Sequence, residues 1–138
     1  MKLQNIIRYV LGIVFLFSAI MKLTDYKTTA VLFANLIGFE ILYAKVFLGL
    51  LILLEIIISY VFLADFVKNN FIYYSVSGMI TIFIITNIVF LLKGYNNCGC
   101  FGSIIESSPL VSIIKNILML YGVYYLKNNT YQKELFER

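Results

Sequence analysis

The sequence predicts an all-α membrane protein: a four transmembrane helix up-down bundle with a short interfacial helix between helices 1 and 2. Three observations lead there. Of 138 residues, 62% are hydrophobic and 13% charged, and the mean hydropathy is +0.92; a soluble domain is nearer half apolar and a quarter charged. The eleven basic and seven acidic residues gather near the ends of apolar runs, too few to cover a soluble exterior. Four of those runs are long enough to cross a hydrocarbon core of about 30 Å. Residues 1–138 therefore read as a single transmembrane domain with the lipid bilayer as its main solvent.

The first span is expected at residues 5–23, with Arg8 near its start and Lys22 near its end; as a helix it reaches roughly 28 Å. No small-residue cleavage site follows it, so it reads as an uncleaved signal anchor. Residues 44–63 form the second span, interrupted only by Glu55, and residues 71–92 the third. The fourth, residues 108–126, is announced by Ser107, Ser108 and Pro109, an N-cap signal followed by proline at the first helical position. The residues after it read as a polar cap. Between the first two spans, residues 24–43 are too short to cross yet too apolar for a free loop, hence the interfacial helix. A short turn joins spans two and three, which predicts that they pack as antiparallel neighbours. Residues 93–106 form a loop containing both cysteines.

Four crossings place both termini on one side. Lys2, Arg8, Lys68, Lys127, Lys133 and Arg138 lie there, against Lys22, Lys27, Lys45, Lys93 and Lys115 opposite, a six-to-five excess that favours cytoplasmic termini in a bacterial cytoplasmic membrane. The Cys loop is then extracytoplasmic, where disulfides persist. Tyr60, Phe62, Phe66, Phe71, Tyr73, Tyr74, Tyr121, Tyr124 and Tyr125 fall near the termini side, as an aromatic belt requires. The formal charge of +4 belongs beside headgroups, which argues against nucleic acid as a partner. With no histidine in the chain, imidazole catalysis and His-ligated metals are excluded.

Cys98 and Cys100 are the only cysteines, one glycine apart, with Gly102 close by. A disulfide across so short a spacing is strained, and strain makes it more easily reduced, which suits a redox-active bond. Two thiolates leave half of a tetrahedral metal site empty, so no metal is expected. A structural reading, two small residues in a loop, also accommodates the pair. Lys93 is the nearby cation that would favour a thiolate.

Polar groups inside the spans supply a second candidate site. Glu55 falls near the bilayer midplane, where an ionised carboxylate must be paired or protonated; Lys115 and Lys22 are both candidate partners by depth. Ser18, Lys22 and Asp25 recur at i, i+4 and i+7 on one helix face, turned either into the bundle or to the interface. Asn116 adjoins Lys115, and Thr81 and Asn87 offer hydrogen bonds across the bundle. Gly12, Gly49, Gly78 and Gly122, one per span, permit close helix approach, and an oligomer stays open.

The run from Arg8 through Gly12 and Ser18 to Lys22-Leu23, followed by Asp25, resembles the first helix of the DoxX-like and MauE-like small membrane proteins. Glu55, the Cys98-Gly99-Cys100-Phe101-Gly102 loop and Lys115-Asn116 fit the same resemblance, which covers nearly the whole chain. It implies a four-helix membrane protein tied to thiol–disulfide or respiratory redox chemistry. The MauE branch implies disulfide maturation beside an extracytoplasmic thioredoxin-like partner, and the DoxX relatives imply quinone-linked chemistry. A similarity to vitamin K epoxide reductases is architectural only, because the Cys-X-X-Cys and second cysteine pair of that family are missing here.

The leading functional expectation is a thiol–disulfide oxidoreductase whose catalytic Cys98 and Cys100 exchange with a thioredoxin-like partner and pass electrons to or from a quinone. Glu55 or Lys115 would carry the accompanying protons. Two rivals stand beside it: a non-enzymatic anchor or assembly subunit for an extracytoplasmic redox enzyme, and a small transporter lined by Glu55 and Lys115.

Overall fold

Five α-helices follow one another in a computed structural model: α1 Leu3–Thr24, α2 Tyr26–Ile37, α3 Ile41–Leu63, α4 Asn70–Leu92 and α5 Pro109–Phe136. The structure describes residues 3–66, 70–96 and 108–136. Helices α1, α3, α4 and the Pro109–Asn129 part of α5 are each long and apolar enough to span a bilayer. Their outward side chains, Ile20, Leu50, Ile82 and Leu118 among them, are exposed and apolar. Only lipid makes such an exterior favourable. This is a multi-pass membrane protein, a helical bundle.

The helices pack as two close pairs, α1 with α3 and α4 with α5, joined where α5 touches α1. This corrects the expectation drawn from the short turn, because α3 and α4 are consecutive without being closely packed. Small residues decide it. A Cβ on Gly12 would lie 2.8 Å from Leu63 Cγ and one on Gly122 would lie 3.3 Å from an Ile7 methyl, so α1 presses on α3 and α5 where side chains are missing. Ser59 Oγ seals the first contact by donating to the Gly12 carbonyl at 2.7 Å. Phe62 of α3 and Tyr73, Val76 and Ile80 of α4 instead meet through bulky side chains in one core cluster. Gly78 has nothing within 4 Å of its would-be Cβ, so it serves no close approach.

Helix α5 runs ten residues past the predicted end at 126. Hydrophobicity marks where lipid ends, whereas a helix ends at a breaker, and no glycine or proline follows Gly122. With 28 residues α5 is about 42 Å long and must emerge from the hydrocarbon. Its start is capped as expected, the Val111 N–H donating to Ser108 Oγ at 3.5 Å.

Two aromatics assigned to the belt are core residues: Phe62 is 0% and Tyr73 3% exposed, while Tyr60, Phe66, Phe71, Tyr74, Tyr121 and Tyr124 face outward. Thr81 and Thr86 donate to the carbonyls of Ser77 and Ile82 four residues back, and Asn87 Nδ2 to that of Phe83. These bonds run within α4.

Helix α2 bridges the bundle end opposite the termini. Tyr26 donates its hydroxyl proton to the Lys45 carbonyl at the start of α3. At the other end Lys93 Nζ, just after α4, donates to the Leu36 carbonyl at 2.8 Å. Ala30, Phe33 and Ala34 pack on Ala44, Leu48 and Ile52 of α3. Gly38 in the left-handed region, φ 75°, terminates α2, and its N–H donates to the Ala34 carbonyl.

Candidate functional site

The strongest chemistry among the described residues is a buried charge pair between α1 and α3. Lys22 Nζ stands 2.5 Å from Glu55 Oε1, and Ser18 Oγ, one turn before Lys22, is 3.3 Å from both the Lys22 amine and the same oxygen. Glu55 is 1% and Lys22 4% exposed. The i, i+4 spacing of Ser18 and Lys22 on α1 puts both on the face pressed to α3, so each reaches one carboxylate. Isolated charges in hydrocarbon cost several kcal/mol, and each of these two charges supplies the partner the other needs. The Lys22 ammonium also stands over the Phe83 ring of α4, 4.7 Å from its centroid. Of the two candidate partners for Glu55, the structure places Lys22 in contact.

Glu55 Oε2 is buried and has no hydrogen-bond partner among the described residues. The Ser18–Lys22–Glu55 cluster lines a cavity of about 20 Å³ whose polar wall is completed by Thr86, Lys115 and Asn116. The structure thus brings Ser18, Lys22, Glu55, Lys115 and Asn116 around one void, although three different helices, α1, α3 and α5, contribute them. Asp25 is not among the residues that line it. It precedes α2 as the N-cap residue, where its carbonyl accepts the Thr29 N–H, because the helix direction breaks before its side chain could continue the α1 face.

Two lateral openings adjoin this cavity. A groove of about 530 Å³ between α1 and α5 is walled by Ile7, Val10, Ile114 and Leu118, and it shares Val14, Lys115 and Met119 with the cavity. A second cleft, about 290 Å³ between the α2–α3 side and α4, shares Phe33, Phe83 and Thr86 with it. Thr86, Phe33 and Phe83 carry no signal in sequence that separates them from packing residues.

Cys98 and Cys100 lie outside the described residues. The helices on either side of their segment, α4 and α5, are the ones that contribute Phe83, Thr86, Lys115 and Asn116 to the cavity. Lys93, the cation expected to favour a thiolate, has its amine on the Leu36 carbonyl and serves the C-terminus of α2.

A model of the family described as Methylamine utilisation protein MauE matches residues 1–126. Protein TlpB of Flavobacterium psychrophilum is 28% identical over 142 residues, covering 91% of this chain and 39% of that protein. The chain thus spans about two fifths of the length of this curated relative. No solved structure matches. With the match running through all four spans and the buried Lys22–Glu55 pair, the chain belongs to the MauE family.

Proposed function

We propose that this protein is a membrane thiol–disulfide oxidoreductase that couples an extracytoplasmic dithiol to a lipid-soluble quinone. The observation that carries the reading is the segment between α4 and α5. It holds the chain's only cysteines, Cys98 and Cys100, and it hangs from helices that wall a buried carboxylate–amine cluster. A partner dithiol, most simply on a thioredoxin-like protein, attacks the Cys98–Cys100 disulfide. The partner leaves as a disulfide and the pair as two thiols. The thiols then return to a disulfide by giving two electrons and two protons to quinone, which becomes quinol.

The α1/α5 groove supports the quinone half, since an apolar groove of about 530 Å³ is the size of a small-molecule site. The greater length of the TlpB relative leaves room in that protein for further domains. We further propose residence in a bacterial cytoplasmic membrane with the Cys segment outside.

The deciding experiment is thiol labelling of Cys98 and Cys100 across a redox titration in membranes, with and without quinone. The reading requires a reversible transition and a resting state that quinone moves toward the disulfide. A pair that never oxidises, or that no dithiol reduces, leaves the protein as an anchor or assembly subunit.

A further inference from the structure

All five helices meet at the cavity beside the Lys22–Glu55 pair. Ser18 and Lys22 reach it from α1, Phe33 from α2, Glu55 from α3, Thr86 from α4 and Asn116 from α5. Because the bundle is built as two close pairs, α1 with α3 and α4 with α5, this void is where polar groups of one pair face those of the other.

The hydrogen bonds around Glu55 cover only one of its oxygens. Oε1 accepts from Ser18 Oγ and from Lys22 Nζ. Oε2 belongs to a side chain that is 1% exposed and accepts from none of the described residues. A buried acceptor left unmet is costly, more so on a charged group, and native structures meet it with protein or with water. The void beside it, about 20 Å³, clears the threshold of about 10–15 Å³ for one water.

Room alone does not hold a water, since an apolar void stays dry. Two further polar groups line this one. Thr86 Oγ1 gives its proton to the Ile82 carbonyl at 2.8 Å, which leaves the hydroxyl oxygen able to accept. Asn116, 3% exposed, brings an amide that can donate. With Glu55 Oε2 these make three partners, the usual complement of a buried water.

We propose that the cavity is a single-water site, in which one water donates to Glu55 Oε2 and to Thr86 Oγ1 and accepts from the Asn116 amide, and so ties the α4–α5 pair to the α1–α3 pair. Oε1 is held by its own pair of helices, through Ser18 and Lys22 of α1. Oε2 is held across the bundle. The carboxylate then has both oxygens satisfied, which is what a stable buried ion pair requires.

The test uses the full chain in detergent micelles, with long-lived internal waters counted by magnetic relaxation dispersion of the water oxygen. Asn116→Leu, which removes the amide, is expected to lower the count by one against wild type. If Asn116→Leu does not fold, Thr86→Val, close in shape and lacking the hydroxyl, carries the same reading. Ile80→Val alters an apolar wall of the same cavity and should keep the water. A count that stays at the wild-type value when a partner is removed overturns the site. So does an equal loss in Ile80→Val, because loosened packing and not a missing partner would then empty the void. The tie between helix pairs has its own readout: the falls in melting temperature of Glu55→Gln and Asn116→Leu should not add in the double variant, because either change alone frees the water that connects them. Additive falls overturn the tie.

Discussion

Lys22 of α1 and Glu55 of α3 form a buried ion pair 2.5 Å long, with Ser18 bonded to both partners. Removing one partner strands the other charge in a medium that cannot solvate it, at a cost of about 3–5 kcal/mol. Lys22→Met should therefore destabilise strongly. Lys22→Met combined with Glu55→Leu should lose less than Lys22→Met alone, because no charge is left behind. Unfolding in mixed micelles with a rising detergent denaturant measures both. A double variant less stable than the single would show that the pair, and not the stranded carboxylate, sets the energy.

The glycines separate by what surrounds them. Gly12→Ala puts a Cβ 2.8 Å from Leu63 Cγ and 3.4 Å from Phe62 Cβ. One neighbour must shift, and the loss should be about 1–3 kcal/mol, the range for overpacking. Gly78→Ala meets nothing within 4 Å, so only its better helix propensity acts, a gain of up to about 1 kcal/mol. The same unfolding assay should move in opposite directions for the two, and equal losses would refute the close approach at Gly12.

The four spans were legible because lipid imposes a continuous apolar length that composition records directly. The Ser18–Lys22 face was legible through its helical spacing. The choice of Lys22 over Lys115 for Glu55 was not, since both lysines lie at suitable depth and only the pairing of α1 with α3 decides between them. That pairing depends on Gly12 meeting Ser59 and Leu63, a relation between residues about fifty apart that no local period encodes. The extra turns of α5 escaped for a different reason: a hydropathy window reports the membrane boundary and is blind to a polar helix continuing beyond it. Phe62 and Tyr73 escaped likewise, because belt and core aromatics look alike until the facing helix is known.

Helix α2 is held at its C-terminus by two devices that act locally. Lys93 Nζ meets the Leu36 carbonyl at 2.8 Å, and Gly38 takes φ 75°. Gly38→Ala forces a side chain into the left-handed region at about 1–2 kcal/mol, and Lys93→Met releases a carbonyl left over at the helix end. Both should raise amide exchange across residues 30–37 while the exchange of α1 and α3 stays at wild-type rates. Uniform acceleration through α3 would mean that α2 and α3 open as one unit.

The proposed orientation rests on which basic residues remain available to the membrane surface. Lys22 spends its charge on Glu55 inside the bundle, so it drops out of the five on the Cys-segment side and leaves four, while Arg8 spends its own on Asp65 and leaves five of the six on the side of the termini. The excess stays at one charge, and the cytoplasmic termini that we propose on it are open to direct test. A membrane-impermeant maleimide added to intact cells after mild reduction should label Cys98 and Cys100 in the otherwise native chain. With both replaced by serine, a single cysteine at Asn129, in the stretch of α5 nearest the termini side, should label only after the cells are opened. Labelling of the Asn129 position in intact cells would reverse the topology. The cysteines would then face the reducing cytoplasm, where a resting disulfide does not persist and disulfide maturation of an external partner has no route.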